Sequence, residues 1–216
     1  MGRYDIAGNA EAEYQPNSGD QVLRNRLGIT SRQILRRRET LGFAMAQAWI
    51  LGWVAEHSKT PPSIGLIKEI HGIALGPLYD WAGRWRTVQI SSPSLPWPRA
   101  QYLEPAMLEY ERVYLKTWAP GRPGTDVANA LAETHGELIA IHPFRDGNGR
   151  TARLLSDLMT RQAGLGGLSN AFLARHKRRY FSSIRSVVHR KDYRPLANLF
   201  SAALFAQTRT PLPRRR

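Results

Sequence analysis

Apolar residues recur three or four positions apart through most of the chain, which is the spacing of an amphipathic helix. The first such segment runs from about Arg32 to His57, and Thr30 or Ser31 is placed to cap its first turn. Later segments follow the same spacing and end at glycine, proline or a break in the period. They run from Ser63 to Gly76, from about Glu104 to Trp118, from Thr125 or Asp126 to about Ile141, from near Gly149 until Gly164, and near Arg179–Val188 and Tyr193–Ala206. The pattern predicts a mainly α fold.

One segment has the period of two that is typical of a strand. Bulky and polar residues alternate from Trp85 to Ile90, and three prolines follow by Pro98. Proline cannot donate to a strand ladder, so a large sheet is excluded here. We predict a short strand and a loose β-hairpin over about 86–98.

The length of 216 residues suits one domain with small extensions. Residues 1–30 hold glycine and proline without a period, which predicts an irregular N-terminal arm. The domain itself is expected over 31–206. Residues 207–216 end in three arginines and are predicted to be a disordered basic tail, with a translocation signal as the alternative.

Composition excludes several classes of protein. The chain has no cysteine, so it has no disulfide framework and no thiolate metal site, which fits a reducing compartment and a cytoplasmic location. Residues 1–20 lack the apolar run of a secretory signal. The most apolar stretch, Leu41 to Val54, is shorter than the roughly 18 residues of a membrane span, so no membrane partner is expected.

The net charge of +14 favours acidic partners, among them nucleotides, nucleic acid or an acidic protein. Basic runs at Arg36–Arg38, His176–Arg179 and Arg214–Arg216 carry much of the excess. We interpret such runs first as a solvated surface. The charge therefore permits nucleic-acid binding without requiring it.

Candidate chemistry is concentrated between positions 142 and 153. Gly147, Asn148 and Gly149 stand just before a predicted helix, where a glycine turn and the free N–H groups of the first helical turn form an anion site. Arg150 and Arg153 are three residues apart, so they share a helix face. Guanidinium groups suit phosphate oxygens, and we predict a polyphosphate site.

Two further residues add a base and an acid to this loop. His142 enters it from the preceding helix with a side chain suited to general-base work near neutral pH. Asp146 could hold Mg²⁺ together with substrate phosphates. Each residue also has an ordinary structural interpretation: His142 as a helix cap, Asp146 as part of a turn, and the arginines as solvated side chains. Phe144 is interpreted as a core anchor for the loop.

The run resembles the signature H-x-F-x-[D/E]-G-N-G-R-x-x-R of the Fic ("filamentation induced by cAMP") family at every specified position. Leu78–Thr87 resembles the family's Y-x-W-A-G-x-x-R-T segment, which leads into a flap hairpin. Asn25–Ile29 is similar to the N-[KR]-L-G-I arm of small Fic toxins. The resemblance covers about residues 20–205 and implies a Fic-type helical bundle with a short β-hairpin flap.

The resemblance implies AMP transfer from ATP to a Tyr, Thr or Ser hydroxyl of a target protein. His142 would deprotonate that hydroxyl, and Asp146 would hold Mg²⁺ on the α- and β-phosphates. Gly147, Asn148 and Gly149 would form the anion hole, with Asn148 steadying the α-phosphate. Transfer of another nucleotide or phospho-group by the same site is the alternative.

The remaining roles also follow from the family. Arg150 and Arg153 would bind the β- and γ-phosphates. The flap would pair with the target segment, a recognised mode of peptide binding, and Thr87 and Val88 would lie near the nucleoside. Trp81 and Trp85 are assigned to the core.

The chain lacks the family's inhibitory pattern [S/T]-x-x-x-E-[G/N]. Within the family that the chain resembles, this absence implies a toxin whose inhibitory glutamate is supplied to Arg153 by a separate antitoxin. A bacterial cytoplasmic protein is expected, and a secreted effector translocated into a host cell is the alternative.

Overall fold

The computed structural model describes residues 11–90, 95–120 and 126–208. Within them the chain forms these helices: α1 Arg32–Glu56, α2 Ile64–Leu75, α3 Leu103–Tyr110, α4 Val127–Ile141, α5 Asn148–Gln162, α6 Asn170–Arg175, α7 Lys177–Arg190 and α8 Arg194–Thr208. The prediction of a mainly α fold is confirmed. No helix of the described residues combines the length and apolarity needed to cross a membrane.

Side-chain caps begin the helices where the sequence places them. Ser31 accepts a hydrogen bond from the main chain of the first turn of α1, Ser63 does so for α2, and Asp126 for α4. The helix predicted over about 104–118 is instead built of three pieces. A 3₁₀ turn, Ala100–Tyr102, precedes α3, and a π-helical turn, Glu111–Leu115, follows it. The short helix α6 was not predicted.

Helix α4 lies at the centre of the bundle and packs against α3, α5, α7 and α8, whereas α1 packs against α2 and α5. Two glycines allow close helix approach. A Cβ on Gly136 would lie 2.9 Å from Val187 of α7, and one on Gly42 would lie 1.9 Å from the Ala74 carbonyl oxygen of α2. The absence of a side chain at these two positions therefore lets α4 pack closely on α7 and α1 on α2.

The described part of the N-terminal arm is irregular and is packed on the domain. Tyr14 and Leu23 form an isolated antiparallel bridge. The Arg26 N–H donates to the Leu78 carbonyl at 2.8 Å, and the Asn25 side chain binds both main-chain groups of Ile29. At the other end, α8 extends through Thr208, so the first two residues of the predicted tail are helical. Residues 1–10 and 209–216 lie outside the described residues.

The strand predicted over Trp85–Ile90 is not formed. The main-chain N–H of Arg86 donates to the Pro143 carbonyl at 2.8 Å, and that of Thr87 donates to the Glu11 carboxylate at 2.8 Å. These bonds tie the segment to the loop and to the arm in place of a strand ladder. The hairpin tip, residues 91–94, lies outside the described residues.

Candidate active site

The predicted loop connects the C-terminus of α4 to the N-terminus of α5. His142 caps α4 in the left-handed conformation, with φ 52°, and its N–H donates to the Leu138 carbonyl at 3.0 Å. Gly147 caps α5, with φ 83°. Because both ends of the loop turn in the left-handed region, the chain reverses within five residues and places the base beside the first turn of α5.

Asn148 holds this loop closed from inside. Its side chain is buried; Oδ1 accepts from the Phe144 N–H at 2.8 Å and Nδ2 donates to the Phe144 carbonyl at 2.8 Å. Phe144 is fully buried, in agreement with its interpretation as the loop's anchor. The Asn148 amide is therefore committed to the loop, and its contribution to an anion site rests on its main-chain N–H.

Gly147 is required by both conformation and space. Its φ favours glycine, and a Cβ would lie 3.0 Å from Leu75 Cδ1 and 3.2 Å from His71 Nε2. Gly149 differs, since a Cβ there would meet only Arg153 Nη1, at 3.6 Å. Of these two glycines, only Gly147 is therefore demanded by the fold.

His71 supports the loop and was missed by the sequence interpretation. Its Nδ1 accepts from the Gly83 N–H at 2.9 Å, which fixes the proton on Nε2, and Nε2 donates to the Asp146 carbonyl at 3.0 Å. The ring stacks on Phe144 with centroids 3.7 Å apart. Burial lowers the pKa of His71 to about 4, so the neutral ring persists at neutral pH. A lone histidine within the apolar pattern of α2 gave no signal for this role.

His142 has the arrangement of a neutral base. Its Nδ1 lies 3.2 Å from the Ile139 carbonyl, which can only accept, so Nδ1 carries the proton and Nε2 has the free lone pair. Burial is the main cause that lowers its pKa to about 4, and the nearby Arg86 acts in the same direction. The imidazole is consequently neutral, and able to accept a proton, at pH 7.

Arg86 joins the flap to this base. Its side chain is buried; Nε donates to the His142 carbonyl at 3.0 Å, while its terminal nitrogens donate to the carbonyls of Val88 at 2.9 Å and Pro98 at 2.6 Å. One guanidinium thus binds the loop and both described limbs of the flap, the first limb being residues 86–90 and the second limb residues 95–98. Val88 is brought close to His142 by this contact, and the exposed side chain of Thr87 lies next to it in the chain.

Asp146 and Arg150 lie together at the mouth of the loop. Asp146 is half exposed, and its Oδ1 accepts from the Gly147 N–H at 2.5 Å. Arg150 lies 3.6 Å from that carboxylate, and its other terminal nitrogen donates to the buried Glu39 at 2.7 Å. Arg150 also lies over the Phe43 ring, 4.5 Å from the centroid. Glu39, on α1, was not predicted as part of the site.

Arg153 lies one turn further along α5, beside the Tyr180 hydroxyl. Burial raises the pKa of Tyr180, and the nearby Arg153 acts in the opposite direction. No carboxylate of the described residues lies within ion-pair distance of Arg153. His135, fully buried, connects Tyr180 at 2.8 Å to Ser156 at 3.1 Å. The Ser156 hydroxyl donates to the α5 main chain, so a hydrogen-bonded chain runs from Arg153 into the core.

A cavity of about 550 Å³ adjoins both arginines. It lies between α1, α5, α6 and α7, and its apolar lining includes Phe43, Leu154 and Phe181. The structure thus brings His142, Asp146, the glycine turn and the two arginines to one end of α5. This arrangement defines a helical domain built around a glycine turn at a helix N-terminus, with two arginines along that helix and a neutral histidine at the edge of the turn.

Comparison with known proteins agrees with this architecture. Residues 61–160 match the model of the Fic/DOC family. Protein adenylyltransferase VbhT of Bartonella schoenbuchensis is 29% identical over 165 residues, which are 76% of this chain and 33% of that protein. Protein adenylyltransferase Fic of Nematostella vectensis is 30% identical over 175 residues, 81% of this chain and 39% of that protein. The chain thus spans little more than a third of these relatives' length.

A solved structure of similar fold is the BepC protein of Bartonella tribocorum, a VirB-translocated effector with bound AMPPNP. It superimposes with a TM-score of 0.69 at 20% identity, over 90% of this chain and 97% of BepC. The likeness confirms the Fic-type helical fold.

Proposed function

We propose that this chain is a protein adenylyltransferase that transfers AMP from ATP to a Tyr, Thr or Ser hydroxyl of a target protein. The observation that carries the proposal is the position of the neutral His142 at the edge of an anion-binding helix N-terminus, with Arg150 and Arg153 along the same helix. The names of the relatives support it.

In this reaction His142 Nε2 accepts the proton of the target hydroxyl. The hydroxyl oxygen forms a bond to the α-phosphorus, and the bond from that phosphorus to the oxygen bridging it to the β-phosphate breaks, so that diphosphate leaves. The main-chain N–H groups of Asn148 and Gly149 receive the charge that develops on the α-phosphate, whereas that of Gly147 donates to Asp146. Arg150 and Arg153 neutralise the leaving diphosphate.

Mg²⁺ is expected as the cofactor, held by Asp146. No group of three metal-ligating side chains exists among the described residues. A half-exposed single carboxylate fits Mg²⁺, which commonly binds one carboxylate together with substrate phosphates and water. When bound, the ion would supply charge neutralisation on the α- and β-phosphates.

The flap would bind the target segment, and Thr87 and Val88 would contact the nucleoside. Support comes from Arg86, which ties the Val88 and Pro98 carbonyls to the His142 carbonyl and so holds the flap against the base. A hydroxyl side chain presented by a segment lying on the flap would therefore approach His142.

The proposal is tested with purified protein, Mg²⁺, a cell lysate and separately labelled nucleotides. Protein labelling is expected from ATP labelled at the α-phosphate and not from ATP labelled at the γ-phosphate. His142→Ala should abolish it. His57→Ala is the matched control, since His57 also binds the main chain of its own helix end, through Nδ1 to the Trp53 carbonyl. Labelling from UTP, GTP or CTP alone would contradict AMP transfer and support the alternative group.

We further infer that an antitoxin on a separate chain inhibits the site by placing a glutamate on Arg153. A polyphosphate with its α-phosphate at the start of α5 extends toward Arg153, about 7–8 Å along the helix from Asn148. The apolar cavity is lined by Arg150 and Arg153 and not by Thr87 or Val88, the residues proposed to contact the nucleoside. It is therefore free to receive an apolar helix face of a partner whose carboxylate reaches Arg153.

Growth measurements test this inference. Expression of the wild-type chain alone in a bacterial cytoplasm should arrest growth, whereas His142→Ala should not. A fragment of the source genome that encodes the antitoxin should restore growth to cells that express the wild-type chain. It should fail to do so for Phe181→Asp, in the cavity wall, and should still do so for the control Phe205→Asp, at an exposed phenylalanine outside the cavity. Normal growth with strong target labelling would contradict the toxin assignment. The bacterial cytoplasmic location and translocation into a host cell stay predictions.

A further inference from the structure

Trp97, on the second limb of the flap, stacks on the imidazole of His142. The ring centroids lie 3.9 Å apart with an angle of 24° between the planes. The neighbouring Pro98 carbonyl accepts from Arg86, which also binds the His142 carbonyl. The flap therefore contacts His142 at two points: Arg86 binds its main-chain carbonyl, and Trp97 packs on its ring.

These contacts fix the imidazole from two directions. The hydrogen bond from Nδ1 to the Ile139 carbonyl holds one edge of the ring, and the indole covers one face. The Nε2 lone pair has no hydrogen-bond partner among the described residues. The charged groups that act on the ring are Arg86 and Asp146. Neither charge fixes the plane of the imidazole ring, and the stacking of Trp97 on the ring does so.

We propose that Trp97 is a positioning residue for His142: by stacking on the imidazole, the second flap limb orients the base and shields it from water. This inference rests on the proposed function. Because Trp97 belongs to the flap, a target segment that binds the flap also acts on the orientation of His142. Displacement of the second limb would release the imidazole ring. A base misplaced by about 1 Å commonly costs up to a hundredfold in rate.

Trp97→Ala is the first test, with steady-state AMP transfer and nucleotide affinity as readouts. We expect kcat to fall about tenfold or more while the KM for ATP changes less than twofold, since the phosphate-binding groups are untouched. The acid limb of the kcat/KM profile, which reports the free enzyme, should move from near pH 4 toward 6.5, because the ring gains access to water. Trp97→Phe keeps an aromatic face and should restore most of kcat.

Trp53→Ala is the matched control. Trp53 stacks on His57 in the same manner, with centroids 4.6 Å apart and planes at 13°, at the end of α1. It should leave kcat and the acid limb of the kcat/KM profile unchanged. A Trp97→Ala protein with wild-type kcat and acid limb would overturn the proposal, as would a Trp97→Phe protein as impaired as Trp97→Ala.

An NMR titration of the His142 ring separates this proposal from the proposed function, since it needs no turnover. The pKa should be near 4 in the wild type and in Trp53→Ala, and closer to 6.5 in Trp97→Ala. If AMP transfer is absent from the wild type but the NMR shift occurs, the proposed reaction fails and the positioning contact stands. An unchanged His142 pKa in a folded Trp97→Ala protein overturns the contact itself.

Discussion

Glu39 Oε2 accepts a hydrogen bond of 2.7 Å from Arg150 and so links α1 to the first turn of α5, 111 positions later in the chain. The other oxygen, Oε1, accepts from the Tyr79 hydroxyl at 2.7 Å. Burial and this carboxylate together raise the pKa of Tyr79, so the hydroxyl keeps its proton and remains a donor. One edge of the Arg150 guanidinium is thereby fixed, which leaves the edge near Asp146 to face a phosphate.

Removing this carboxylate should weaken both the fold and nucleotide binding. For Glu39→Ala we expect a loss of about 2–4 kcal/mol in the free energy of unfolding, because a partly buried guanidinium and a buried hydroxyl lose their acceptor. Glu39→Gln keeps an acceptor for Tyr79 and should unfold closer to the wild type. Both variants should bind ATP several-fold more weakly, as measured by calorimetry.

Glu109→Gln provides the control for an ion pair outside the site. Glu109 pairs with Arg112 three residues away on the exposed surface. Such pairs contribute little, so this variant should match the wild type in urea unfolding and in ATP affinity. Unchanged ATP affinity in a folded Glu39→Gln protein would show that Arg150 needs no such orientation.

The two glycines of the loop should respond differently to alanine. Gly147→Ala should lower the free energy of unfolding by about 1–3 kcal/mol, because the residue must keep a left-handed φ and its Cβ presses on Leu75 and His71. Gly149→Ala should be neutral or stabilising by up to about 1 kcal/mol, since alanine suits a helix better. Thermal or urea unfolding of both proteins measures the difference.

Gly164→Ala separates backbone strain from crowding in this comparison. Gly164 has φ 75°, but a Cβ there would meet no atom within 4 Å. Its loss of stability should fall between those of the two loop variants. Equal stability of Gly147→Ala and Gly149→Ala would mean that the loop adapts to a Cβ at Gly147.

The helices and the loop could be predicted because their signals are local. Caps such as Ser31, Ser63 and Asp126 act within one turn, and the motif from His142 to Arg153 is contiguous. The prediction of a strand at Trp85–Ile90 was wrong. It rested on the local alternation of bulky and polar residues, whereas the main chain of this segment forms hydrogen bonds with distant partners. The Thr87 N–H, for example, binds Glu11, 76 positions earlier.

The supporting residues of the site could not be found for the same reason. Glu39, His71 and Trp97 lie on three separate elements and contact the loop only after the bundle is packed. The sequence around Glu39 and His71 gives no sign of a functional role, since Glu39 follows a basic run and His71 lies within an apolar helix. Contacts between residues 45 to 111 positions apart leave no trace in the spacing of one sequence.

Tyr180 should position Arg153 through its hydroxyl. The Ser156 hydroxyl donates to the Ala152 carbonyl, so its oxygen accepts from His135 Nδ1–H, and His135 Nε2 accepts from Tyr180. The Tyr180 oxygen therefore offers its lone pairs to Arg153. For Tyr180→Phe we expect ATP affinity to fall several-fold and stability to fall by about 1–3 kcal/mol, because His135 loses a buried partner.

Tyr110→Phe is the matched control for a buried tyrosine. The Tyr110 hydroxyl donates to the Thr134 carbonyl at 3.0 Å and takes no part in the hydrogen-bonded chain from Tyr180 through His135 to Ser156. This variant should lose similar stability and keep wild-type ATP affinity by calorimetry. If Tyr180→Phe also retained full affinity, Arg153 would not depend on the Tyr180–His135 chain.

Buried histidines should make the fold less stable in acid. Burial lowers the pKa of His142 to about 4 and that of His135 to about 3, below the ordinary value of 6.5. Between those values the unfolded chain binds protons that the folded chain does not, so stability is full above pH 6.5 and falls as the pH decreases. Each histidine contributes a slope of up to about 1.4 kcal/mol per pH unit in that window.

The contribution of His135 can be isolated with His135→Phe, because all other titrating groups are shared with the wild type. The variant loses hydrogen bonds to Ser156 and Tyr180 and should be less stable at pH 7.5. Its disadvantage should shrink steadily from pH 6.5 to 4.5, since it no longer resists protonation. Urea unfolding at several pH values, without divalent ions, measures this difference. A gap that stays constant across the range would mean that His135 titrates alike in the folded and unfolded chain.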